Sequence, residues 1–145
     1  MHVAEIMTEE VATADAKDSL ADCARTMLSE GAGSVVVVDG DRPIGIVTES
    51  DILRAGIEAD EPLSALPVRA NMSSPIKWVR PGLSTRVAAE KMREERVKKL
   101  VVVEDMEMVG IVTVTDIVFR LSDVAQDIGD VVGLREKWDS DRRFR

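Results

Sequence analysis

Apolar and polar positions along the chain fall into a fixed order of stretches, and that order is written twice. Leu20, Cys23, Met27 and Leu28 recur at the spacing of one helix face, Asp18 and Ser19 stand where the helix start belongs, and Gly31 follows as its C-cap. "SVVVVDG" and "PIGIVT" come next; they are too short for helices and rich in β-branched residues, so they predict adjacent strands turning through Asp39 to Asp41. "ESDILRAG" restarts helical character, with Gly56 as its predicted stop, and "EVAT" supplies a short extended piece ahead of the first helix.

The second copy has the same grammar: extended "PIKWV", a helix started by Ser84 with Val87, Ala88 and Met92 as its stripe, strands "KLVVVED" and "MVGIVT" turning through Asp105 to Glu107, then helical "VTDIVFRLSD". "GIVTESDI" at 45–52 and "GIVTVTDI" at 110–117 set an offset of 65 residues, and no gap is needed. From Met7–Ile52 against Met72–Ile117, 14 of 46 positions are identical, a duplication rather than coincidence.

Each half, three strands and two helices, has too little apolar face to stand alone. The predicted fold is therefore α/β (α+β), two β-α-β-β-α repeats packed about a pseudo-twofold axis, with residues 1–60 as the first repeat and 66–123 as the second. "EADEPLSALPVRANM", with Pro62 and Pro67, is expected to carry the chain between them. Residues 124–145 match nothing in the repeat and are expected to form a solvated or partner-bound C-terminal extension.

Composition narrows the chemistry. The 145 residues carry 27 acids against 19 bases, a net charge of −8 that argues against broad attachment to nucleic acid or anionic lipid. No apolar run reaches membrane-spanning length, and "MHVAEIMTEE" has acids where a secretory signal has bases, so a cytoplasmic protein is expected. Cys23 is the only cysteine, placed on a helix stripe as a core residue, and no intrachain disulfide can form. With His2 the only histidine, tyrosine absent and no convergent carboxylate or lysine pair evident, neither a metal site nor an enzyme is expected.

Thr48 and Thr113 each end a strand, and three residues on Asp51 and Asp116 lie in the first turn of the following helix. A hydroxyl there can meet phosphate, and a carboxylate accepts well from paired hydroxyls, so the grouping suits a nucleotide whose ribose bonds the aspartate and whose base lies beside the valine strands. The same positions also suit a plain helix cap with no ligand. The glycines of "EGAGS" lack the longer spacing and trailing lysine of a phosphate loop and read as helix stop and turn.

The repeated "GIVT..DI", preceded by "VVVVDGDRPIG" and "KLVVVEDMEMVG", resembles a tandem pair of CBS domains, the family named after cystathionine β-synthase, over roughly residues 1–123. The resemblance implies a sensor that binds AMP, ADP, ATP or S-adenosylmethionine in clefts between repeats, with no cofactor required. It implies Asp51 and Asp116 as ribose ligands, Thr48 and Thr113 beside sugar or phosphate, and Lys98 and Lys99 as phosphate contacts whose first-half counterparts, Gly33 and Ser34, are uncharged. The binding set it implies is completed by Thr13, Ala14, Ser34, Val35, Gly45, Ser50, Lys77, Trp78, Leu100, Gly110 and Thr115. Lys98 and Lys99 also read as ordinary surface lysines, and Trp78 as a core or dimer contact.

Two functions remain. In the first the protein is a regulatory module, a homodimer in which an adenosine-type ligand alters packing and an unidentified partner protein reads the change. In the second the clefts are empty, and the protein is a structural or interaction protein acting through dimerisation and its C-terminal tail.

Overall fold

The computed structural model describes residues 1–121; the expected C-terminal extension and the last two residues of the second repeat lie outside the described residues. Among the described residues, Ala12–Ile76 form one compact unit, and Met1–Val11 with residues 77–121 form the other.

In the first unit, β1 (Thr13–Asp15), α1 (Leu20–Glu30), β2 (Ser34–Asp39), β3 (Arg42–Thr48), α2 (Glu49–Ala59) and the short α3 (Val68–Asn71) follow in order. The second has β4 (Trp78–Val79), α4 (Thr85–Glu95), β5 (Lys99–Glu104), β6 (Glu107–Thr113) and α5 (Val114–Leu121). Each unit holds a three-stranded sheet, β1-β2-β3 or β4-β5-β6, whose first pair is parallel and second antiparallel. These are the two mixed α/β repeats the pattern predicts, each with its own core. Ala14, Leu20, Cys23, Met27, Val35, Val37 and Val47 fill the first, and Val79, Ala88, Met92, Leu100, Val102 and Val112 the second.

Local chemistry sets the boundaries. Ser19 caps α1 reciprocally: its N–H donates to Asp22 Oδ2 at 2.9 Å, and Asp22 N–H donates to Ser19 Oγ at 3.3 Å. Gly31 ends α1 in the left-handed conformation, φ 64°, which glycine adopts without a Cβ penalty. Arg96 occupies the equivalent place after α4 at φ 56°.

Several expectations are corrected. Gly56 does not stop α2, which continues to Ala59 and is capped by Asp60 in the left-handed conformation; a lone glycine costs a helix only about 1 kcal/mol and is tolerated inside one. Leu28 is exposed, one position off the stripe of Leu20, Cys23 and Met27, and Val87 likewise sits beside the buried Ala88 and Met92. The first strand is Thr13–Asp15 rather than "EVAT", and its counterpart shrinks to Trp78–Val79, because pairing with Val36–Val38 and Val101–Val102 decides which residues extend.

The chain ahead of each repeat also joins a sheet. Ser73 exchanges two backbone hydrogen bonds with Ile46 on the outer side of β3, at 2.9 and 3.0 Å, and Val68 is fully buried in the first core. Thr8 does the same with Ile111 on β6, at 2.8 and 2.9 Å, and Val3 is fully buried in the second core. Both pairs obey the 65-residue offset. The proline-bearing segment is thus no bare linker, since residues 66–73 are built into the first unit.

Candidate functional site

Ser34 lies directly across from Thr48, and Lys99 from Thr113, at the ends of the antiparallel pairs β2·β3 and β5·β6. The pairing carries on into the helix starts, where Glu49 N–H donates to the Gly33 carbonyl at 3.2 Å and Val114 N–H to that of Lys98 at 3.0 Å. A strand end, a helix N-terminus and the residue before the second strand therefore converge in each repeat.

Thr48 is the N-cap of α2. Its N–H donates to Asp51 Oδ2 at 2.9 Å, and its hydroxyl oxygen accepts from Asp51 N–H at 3.3 Å. Thr113 and Asp116 repeat the device at 3.0 and 3.1 Å. The cap reading of the threonine–aspartate spacing is thus real in both repeats. It does not exhaust these groups, because a carboxylate offers about four acceptor sites and a hydroxyl that accepts one bond retains a proton to donate. The cap instead fixes each carboxylate in one orientation, as a preformed acceptor at a positive helix end. Asp51 is partly buried, its side chain 16% exposed, and Arg54 Nη1 lies 3.5 Å from its Oδ1.

The other expected residues spread outward. Ser50 is exposed in the first turn of α2 and Thr115 half-buried in that of α5. Thr13 is exposed beside Val36, two residues along β2 from Ser34, whereas Ala14 is buried in the first core. Val35 and Leu100 are wholly buried. Lys98 is exposed and Lys99 half-buried. Lys77 pairs with Glu95 at 3.2 Å, and Trp78, 41% exposed, has Lys91 Nζ at 5.9 Å from its ring centroid and accepts from it through its carbonyl at 2.6 Å.

Gly45 and Gly110 face other chain rather than open space. A Cβ on Gly45 would lie 2.5 Å from Met72 Sδ and 3.0 Å from the Ser73 carbonyl oxygen; on Gly110 it would lie 2.8 Å from Met7 Sδ and 2.9 Å from the Thr8 carbonyl oxygen. Each glycine follows a bulge, with Ile44 or Val109 the extra residue.

Sequence reasoning did not single out Arg54, whose only signal was a base three residues after Asp51, nor the pairing of Lys91 with Trp78. Among the described residues no group of three or more His, Cys, Asp or Glu side chains is placed to hold a metal ion, and no helix is long and apolar enough to cross a membrane.

Comparison with known proteins agrees with the two-repeat fold. A family model described as the CBS domain matches residues 3–58 and again 63–123. An uncharacterized protein of Methanopyrus kandleri is 31% identical over 117 residues, 79% of this chain; the chain spans 60% of that relative's length. A solved CBS-domain protein from Burkholderia ambifaria superposes with a TM-score of 0.78 at 28% identity, covering 83% of this chain and 93% of that one. A CBS domain protein from Pyrobaculum aerophilum, solved in complex with AMP, gives a TM-score of 0.74 at 25% identity, covering 87% and 95%.

Proposed function

The chain belongs to the CBS domain family, and from that premise we propose that it is a regulatory module, working in the cytoplasm, that binds an adenosine nucleotide at the strand-to-helix junction of each repeat. One observation carries the reading: both junctions hold a threonine and a carboxylate locked in the same orientation by the same pair of hydrogen bonds. The ribose diol donates to Asp51 or Asp116, and phosphate meets Thr48 or Thr113 at the helix N-terminus. The similar Pyrobaculum aerophilum protein, solved with AMP, supports AMP as the first ligand to try.

The two junctions differ in charge. Lys99 stands across from Thr113 where Ser34 stands across from Thr48, so the second repeat holds phosphate more tightly. Ligand shifts the protein toward whichever arrangement it binds better, and a partner protein responds to that arrangement. Exposed Leu53 and Ile57 on α2, and Val114 and Val118 on α5, support pairing into a homodimer.

The caps themselves favour a second reading, a structural or interaction protein in which threonine and aspartate only secure helices. Calorimetric titration with AMP, ADP, ATP and S-adenosylmethionine decides between the two. Saturable binding of any of them supports the sensor, and no heat from all four leaves the structural protein.

A further inference from the structure

We infer that Arg54 is a built-in competitor for the first junction, occupying the Asp51 oxygen that an incoming ribose needs. The inference rests on the nucleotide-binding reading above. Asp51 Oδ2 already accepts from the Thr48 N–H at 2.9 Å, so Oδ1 carries the larger share of the carboxylate's open acceptor capacity. Arg54 Nη1 lies 3.5 Å from that Oδ1, so the guanidinium's charge offsets the same oxygen that a ligand hydroxyl would use.

The geometry makes Arg54 displaceable. Asp51 is held by its cap and is 16% exposed, while the Arg54 side chain is 63% exposed and approaches from one helical turn away at i,i+3. A water-facing pair of this kind is weak and screened by salt, so it lowers ligand affinity without abolishing it. In the second repeat the equivalent position is Phe119, whose uncharged ring cannot form the same ion pair. The first junction is thus tuned to respond at higher ligand concentration than its carboxylate alone would set.

The test is calorimetric titration of the full chain with AMP at low and at high salt, for the wild type, Arg54→Gln, Asp51→Asn and the double variant, with melting curves in the absence of AMP confirming that each is folded. The expected result is a gain of about two- to fivefold in first-site affinity for Arg54→Gln at low salt, fading at high salt and absent in the Asp51→Asn background. Unchanged or weaker AMP binding by Arg54→Gln overturns the competitor role and leaves the nucleotide reading standing. A gain that persists without the Asp51 charge also overturns it. No AMP binding by any of the four proteins removes both readings together.

Discussion

Gly45 lies beneath Met72 so closely that a Cβ on the glycine would fall 2.5 Å from the methionine sulfur. Gly110 and Met7 repeat the relationship at 2.8 Å, and the neighbouring Ser73 and Thr8 carbonyls stand 3.0 and 2.9 Å from the same imagined atoms. The glycine that opens the duplicated phrase is there because another stretch of backbone is laid against the strand. Alanine at either position must displace a methionine and press on a carbonyl. Gly45→Ala and Gly110→Ala are each expected to cost about 1–3 kcal/mol, measured by urea unfolding.

Among the described residues four that are not glycine, Asp60, Arg96, Asp105 and Met106, carry left-handed backbone that glycine adopts more cheaply. Arg96 ends α4 at φ 56°, where the first repeat has Gly31, and the exposed Met106 sits at φ 67° in the two-residue turn between β5 and β6. Arg96→Gly and Met106→Gly are expected to stabilise by about 0.5–1 kcal/mol each, read as a raised melting temperature. A lowered melting temperature for both would show that side-chain contacts outweigh backbone strain.

Burial, and behind it the nearby Asp18 and Asp22 carboxylates, pushes the Cys23 thiol up to about 11 from an ordinary value of 9.0. Folding therefore favours the neutral thiol. Its contribution is full below the unfolded value and is lost as pH rises from about 9 through about 11. Cys23 is expected to resist a thiol reagent at pH 8 in the native protein and to react promptly in denaturant, followed by absorbance.

The aspartates are expected to differ in their effect on ligand. Asp116→Ala should weaken AMP binding more than Asp51→Ala, because the second junction has Lys99 where the first has Ser34. Both changes also remove a capping partner and cost about 0.5–2 kcal/mol of stability without ligand. Titrations showing equal losses of affinity, or the reverse order, would refute the charge asymmetry.

Much of this was legible in the sequence because duplication supplied an internal control. Val36–Val38 and Val101–Val103 marked the central strands, and the "GIVT" phrases marked their partners, since pattern, length and turn signals agreed in both copies. The threonine–aspartate cap was legible for the same reason. Long-range facts were not. The packing of Met7 on Gly110 and Met72 on Gly45 joins residues 103 and 27 apart, and no local periodicity announces it. The end of α2 was misjudged because a single glycine is too weak a breaker to stop a helix, and the first strands because the partner strand chose the register.

Thermal melting of the wild type and of Asp51→Asn/Asp116→Asn, with and without AMP, tests the central claim most directly. Asparagine keeps the size and hydrogen-bonding capacity of the cap and removes the charge that the ribose hydroxyls would meet. The predicted result is a wild-type melting temperature that rises with AMP, equivalent to about 2.7 kcal/mol at a hundredfold excess over Kd, and no rise in the double variant. An unmoved wild type, or an equal rise in both proteins, would contradict it.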